Sequence, residues 1–297
     1  MAPTAVEVLL TGWNFAPSIV LGVAALCGAY LYAIGPLRRR LGWGEPVSRG
    51  QAAAFFGGTA VLAFALLSPL DRIGDDYLFF VHMIQHMLLM MVAAPLWVLG
   101  TPAWLLRVAL RRPVARRVAR FLTHPAVAFT LFNANFWLWH APALYDATLS
   151  NEWLHAFEHL TFLATGVLNW IPIESPAPDV LPRLSLPGQI VYLFVSCQPM
   201  VLLGAGLTFI QAPLYAPYIA GPRIFGVAAL TDQQVGGLIM WLPGNAMYLL
   251  AISVAFFHWL EGSAEARRAE REAWALEDAA RATATGDAPA TLSSSVE

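Results

Sequence analysis

Seven apolar stretches, at 15–34, 51–70, 78–99, 125–141, 153–172, 188–209 and 233–260, account for most of the chain. Each approaches the roughly 20 apolar residues that carry a helix across the ~30 Å hydrocarbon core of a bilayer. The predicted fold is therefore all-α, a polytopic membrane bundle of seven transmembrane helices. The fourth stretch is the shortest, holds Asn133 and Asn135, and is bounded by Pro125 and Pro142. It is kept because removing it breaks the charge alternation described below. Pro199, Pro243 and Gly244 fall inside spans, where kinks are tolerated when neighbouring helices satisfy the freed carbonyls. After Glu261 the pattern stops. The chain is Ala, Glu and Arg rich to about Arg281 and then rich in Thr, Ser and Pro. This divides it into a transmembrane domain, 1–261, and a cytoplasmic tail, 262–297, expected as a short surface helix followed by disorder.

Composition agrees with the pattern. Of 297 residues, 58% are hydrophobic and 12% charged, about half the charge of an ordinary soluble domain. Cys27 and Cys197 both lie in apolar segments, so no disulfide framework is implied and small apolar packing is expected of them. Met1 to Phe15 carries no basic residue ahead of its apolar run, which predicts a first helix that is retained rather than a cleaved signal peptide. No glycine-rich phosphate loop, nucleophile elbow or Cys-x-x-Cys motif occurs, and nothing points to nucleic acid.

Charge sets the orientation. All 17 basic residues are arginine. Arg38, Arg39, Arg40 and Arg49 occupy the first loop, Arg107, Arg111, Arg112, Arg116, Arg117 and Arg120 the third, and Arg267, Arg268, Arg271 and Arg281 the tail. The alternate loops hold Arg72 and Arg223 beside Asp71, Asp75, Asp76, Asp146 and Asp232. The positive-inside rule then places the N-terminus outside and the C-terminus in the cytoplasm, with loop 173–187 nearly neutral. The run at 107–120 is topogenic and suits anionic membrane lipid. Trp137, Trp139, Tyr145 and Trp153 fit an interfacial aromatic belt, and the Gly pairs at 57–58 and 236–237 fit close helix packing.

On this topology five of the seven histidines share one depth. His82 and His86 open the third span, His140 closes the fourth, and His155 and His159 open the fifth. Each H-x-x-x-H pair sets two imidazoles on one side of a helix, one turn apart. Nitrogen donors are costly to place in an apolar chain, so their concentration at the outer leaflet predicts a metal site. Imidazole suits copper, zinc, iron and nickel, and thioethers select cuprous copper. Met90 is predicted deeper on the face of His82 and His86, with Met83 and Met87 to one side, although such a Met run also serves adaptable packing. Glu158 is a candidate ligand or carboxylate partner for an imidazole N–H, and Asn133, two turns from His140, a candidate orienting group. Asp232 and Met240 on the last span complete the candidate secondary shell, while Cys197 and Met200 sit nearer mid-membrane.

Four blocks resemble one known family. They are His82-Met-Ile-Gln-His86-Met-Leu-Leu-Met closing in Pro95-Leu96, Trp139-His140-Ala-Pro142-Ala-Leu-Tyr145-Asp146, His155-Ala-Phe-Glu158-His159, and Asp232-Gln233-Gln234-Val-Gly236-Gly237-Leu-Ile-Met240-Trp241. Together, over roughly residues 50–260, they are similar to the CtaG-type cytochrome c oxidase assembly proteins. Asn169-Trp170-Ile-Pro172 departs from that family's more aromatic version. The resemblance implies a seven-helix protein of the bacterial cytoplasmic (inner) membrane that is not an enzyme. It further implies copper delivered to cytochrome c oxidase subunits, with other copper chaperones as possible partners. Other readings use the same residues: a membrane-embedded zinc hydrolase with Glu158 or Asp146 as general base, haem held by facing histidines, or a scaffold in which the histidines are incidental.

Overall fold

The computed structural model describes residues 3–285, and among them every regular element is helical. In order these are α1 (Ala5–Thr11), α2 (Pro17–Leu41), α3 (Arg49–Leu67), α4 (Pro69–Asp76), α5 (Phe79–Gly100), α6 (Ala103–Ala109) and α7 (Pro113–Leu122). There follow α8 (Pro125–Trp139), α9 (Pro142–Ser150), α10 (Glu152–Glu174), α11 (Leu186–Phe209), α12 (Ala216–Ala220) and α13 (Ala229–Thr285). Five of them, α2, α3, α5, α11 and α13, are long and apolar enough to cross a membrane. The two remaining predicted spans fall on α8 and α10. α8 has only 15 residues, and α10 interrupts its apolar run with Glu152, His155, Glu158, His159, Asn169 and Glu174. Large apolar side chains such as Leu21, Phe64, Leu202 and Leu250 face outward, as a lipid-facing surface requires.

Local chemistry sets the helix starts. Thr4 with Glu7 and Ser48 with Gln51 form capping boxes at α1 and α3, each satisfying otherwise orphaned backbone N–H groups. Pro17, Pro69, Pro113, Pro125 and Pro142 occupy first turns, where the missing N–H removes no bond. α5 is the hub. Of its apolar window 61% is buried, against 22% in α3 and 6% in α2, and it packs on α3, α4, α10 and α13. It widens into a π-turn over Leu88–Ala93, just ahead of Pro95, which cannot donate to a preceding carbonyl. The Trp170 indole donates to the Met90 carbonyl at 3.2 Å and so satisfies one group within the widened turn.

Glycines bring the helices together where the sequence expects. A Cβ on Gly58 would lie 2.7 Å from Trp97 and 3.0 Å from the Ala93 carbonyl. One on Gly237 would lie 2.6 Å from the Gly204 carbonyl, between α11 and α13. Gly57, by contrast, has open space to 3.9 Å, so one member of that pair carries the contact.

Two ends can be told apart. At one, α4, α9 and the 210–228 segment meet: the Tyr218 hydroxyl donates to the Gly74 carbonyl at 2.6 Å and lies 3.0 Å from the Tyr145 hydroxyl. At the other, Arg107 pairs with Asp179 through two bonds of 2.9 and 3.0 Å, and Arg120 donates to the Val180 carbonyl at 2.7 Å. The near-neutral 173–187 loop therefore shares an end with the arginine-rich third loop. The stretch after Glu261 continues α13 unbroken to Thr285; the disorder expected of the distal tail falls, from 286 on, outside the described residues.

Candidate metal centre

Three helices deliver the histidines. On α5, His82 and His86 are fully buried, with their Nε2 atoms 2.8 Å apart. Gln85 between them turns the other way, its amide donating to the Ala65 carbonyl at 2.9 Å and to Asp71 Oδ1 at 2.7 Å; this fixes the rotation of the helix. Asn151 starts α10 by accepting from the Trp153 and Leu154 N–H groups at 3.0 and 3.1 Å. That cap places His155 and His159 on the first two turns, facing α5. Ring centroids are 5.2 Å apart for His82 and His155, 5.8 Å for His82 and His159, and 5.1 Å for His86 and His159.

His140 ends α8 and stands a little apart, its ring 6.5 Å from that of His86. Its Nδ1 donates to the Phe136 carbonyl at 2.7 Å. Because a carbonyl can only accept, this fixes the tautomer and leaves Nε2 with a free lone pair. That atom faces Met83 Sδ at 3.3 Å. The Tyr215 hydroxyl holds the His140 carbonyl at 3.1 Å.

Two three-donor sets can be drawn in which every donor lies within 4.8 Å of the others, His82 with His155 and His159, and His82 with His86 and Glu158. Glu158, fully buried, puts Oε1 3.7 Å from His86 Nε2, beyond hydrogen-bond distance. The fit to a metal ion can be judged from unsatisfied atoms. His82 Nδ1, His86 Nδ1, His155 Nε2, His159 Nε2, Asp75 Oδ1 and both Glu158 oxygens are buried without a hydrogen-bond partner. Buried polar groups ordinarily find partners, and this convergence of unpaired donors fits an ion held between them. The 2.8 Å separation of His82 and His86 is also close to the ~2.9 Å between two nitrogens bound at right angles about 2.0–2.1 Å from one ion.

One participant was not singled out from sequence. Asp75 places Oδ1 3.3 Å from His82 Nδ1 and Oδ2 3.5 Å from His155 Nδ1, so one carboxylate faces both histidine helices. α4 brings it there by lying directly on α5: a Cβ at Gly74 would meet His82 Cα at 3.0 Å. The available signal was the acidic run with an embedded glycine, Asp71 to Asp76, ahead of the first histidine. Burial pushes the Asp75 carboxyl up to about 6, with His155 pulling it back. Burial, reinforced by Asp75, likewise pushes Asp71 up to about 6.

Other expected residues lie elsewhere. Asn133 donates to the Phe129 carbonyl at 2.9 Å, so the Phe136 carbonyl, not Asn133, orients His140. Asp232 accepts from the Phe79 and Phe80 N–H groups at 2.8 and 3.0 Å and thus caps α5 rather than facing the imidazoles. Met90 and Met240 are fully buried in the main apolar core, with Met87 packed against it. Met200 lies against Gly244. Cys197 bonds the Phe194 carbonyl, and Asp146 accepts from the Ala216 N–H at 3.4 Å. His258 lies with Glu174 and Arg183 around a separate cavity.

The profile of the cytochrome c oxidase caa3 assembly factor family (Caa3_CtaG) matches residues 28–262. Uncharacterized proteins of Mycobacterium bovis and Mycobacterium tuberculosis are each 32% identical over 275 residues, covering 86% of this chain and 40% of theirs. One of Mycobacterium leprae is 29% identical over 273 residues, with 84% and 40% coverage. The chain thus spans about 40% of the length of the curated relatives it matches. No solved structure matches.

Proposed function

This chain belongs to the cytochrome c oxidase caa3 assembly factor family, and on that premise we propose that it carries copper as cargo at the histidine cluster and hands it to an oxidase subunit. The supporting observation is the convergence of five imidazoles and two carboxylates from separate helices, with at least one buried donor atom of six of these seven residues left unpaired. Transfer needs ligation that can be replaced donor by donor, and a set larger than one ion's coordination number supplies it. Neutral imidazoles bind without first losing a proton, and the fixed His140 tautomer keeps one lone pair ready. Met83 beside His140 adds a thioether, which tilts selectivity from zinc toward cuprous copper.

The membrane arrangement that goes with this reading has seven spans, α8 and α10 included, in a bacterial cytoplasmic membrane, with the N-terminus outside. The Asp-bearing end carrying the histidines then faces outward and the Arg107–Asp179 end faces the cytoplasm. Imidazole rings 4.3–6.5 Å apart favour a small ion over a macrocycle. In this role the residues bind and orient the ion. Asp75 and Glu158 balance its charge and Phe136 and Phe162 close the floor, with Phe162 4.5 Å from His86.

The test is elemental analysis of the detergent-purified chain beside a variant with His82, His86, His155 and His159 all replaced by Ala. Copper in the first and its loss in a still-folded second is expected. Full copper stoichiometry in the variant refutes the assignment. Zinc with ester or amide hydrolysis selects the hydrolase, and an intense visible band selects haem.

A further inference from the structure

The cluster is closed on most sides. Tyr145, Tyr215 and Tyr218, all buried, cover its outer end, with Tyr145 5.4 Å from His82 and 6.5 Å from His140. Phe136 and Phe162 lie against His140 and His86, ring centroids 4.5 Å apart in each pair and the planes tilted. The remaining side meets a cavity of about 470 Å³ between α2, α3, α4 and α10. Its inner wall includes Asp75, His155 and His159, and its outer wall includes Ser18, Glu152 and Ala156, all three exposed. His159 is only 8% exposed, yet its Nε2 has no partner. The side chain of His155 is 14% and that of Asp75 26% exposed.

We propose that this cavity is the port through which the metal ion enters and leaves, with Asp75 the carboxylate that first takes it up. The His82, His155 and His159 set is then the exchanging face, and the fully buried His82, His86 and Glu158 set the retaining face. The inference rests on the copper-carrying reading above and adds its route. Three carboxylates, Asp71, Asp75 and Glu152, line the path, and like charges along a narrow low-dielectric channel raise the local cation concentration. His82 belongs to both donor sets, so an ion can pass from one to the other without ever losing all protein ligands. No electron moves: each step replaces one neutral or anionic donor by another.

The test uses the full chain, stripped of metal in detergent, loaded anaerobically with cuprous copper and then challenged with a colorimetric chelator. Ala156→Trp narrows the mouth and replaces no donor. It is expected to keep the wild-type copper stoichiometry while slowing both loading and release at least about tenfold, and Asp75→Asn is expected to slow loading comparably. His86→Ala should instead speed release. Ser18→Trp, at the same mouth but on α2, provides the same block if Ala156→Trp does not fold. Wild-type rates in a folded, blocked variant overturn the port and leave the copper reading standing. A wild-type chain that takes up no copper overturns both.

Discussion

Replacing Asp232 separates a metal donor from a helix cap. Its carboxylate accepts from the Phe79 and Phe80 N–H groups at 2.8 and 3.0 Å, and Phe79 is only 1% exposed, so no water replaces the lost acceptor. A buried donor left unpaired costs about 1–3 kcal/mol and loss of a helix cap about 0.5–2 kcal/mol. With one donor deeply buried and one partly so, Asp232→Ala should destabilise by roughly 3 kcal/mol. Asp232→Asn keeps one acceptor oxygen and should cost about 1 kcal/mol. At roughly 2–4 °C per kcal/mol for a chain of this size, Ala lowers the thermal midpoint by about 6–12 °C. The assay is thermal unfolding in detergent by circular dichroism, with bound metal measured on the same samples below the transition. A midpoint within about 1 °C of wild type for Ala refutes the cap. An Asn variant of native stability that has lost its metal shows Asp232 to be a donor after all.

The acidic end should register pH. Asp71, held up to about 6 by burial and by Asp75, keeps a proton that the unfolded chain releases near 4. The Asp71 contribution to the stability of the metal-free protein is therefore fully present below about pH 4 and falls by on the order of 2 kcal/mol as pH rises to about 6 and above. Asp71→Asn should flatten that slope in melts run in chelator, and parallel slopes would count against it. Close packing gives a second contrast. Gly237→Ala drives a methyl against the Gly204 carbonyl, 2.6 Å away, whereas Gly57→Ala meets nothing nearer than 3.9 Å. The first should destabilise by about 1–3 kcal/mol, whereas the second should stabilise by up to about 1 kcal/mol because Ala is the better helix former, measured by the same melts.

The one-dimensional pattern carried a great deal. Hydrophobic length specified helices because a bilayer demands internally bonded backbone, and all seven predicted stretches fall on helices, five of them long and apolar enough to cross. The H-x-x-x-H spacing put His82 with His86 and His155 with His159, since residues four apart share a helix face whatever the fold. What the pattern could not carry is which face meets which. Asp75 reaches two histidine helices only because α4 folds back on α5 at Gly74. Glu158 was legible as a candidate but its nearness to His86 was not. Asp232 lies far along the chain from Phe79, and only packing of α13 on α5 turns that acid into a cap. Shared depth follows from helix period and charge; shared geometry follows from side-chain packing between helices, which sequence spacing does not encode.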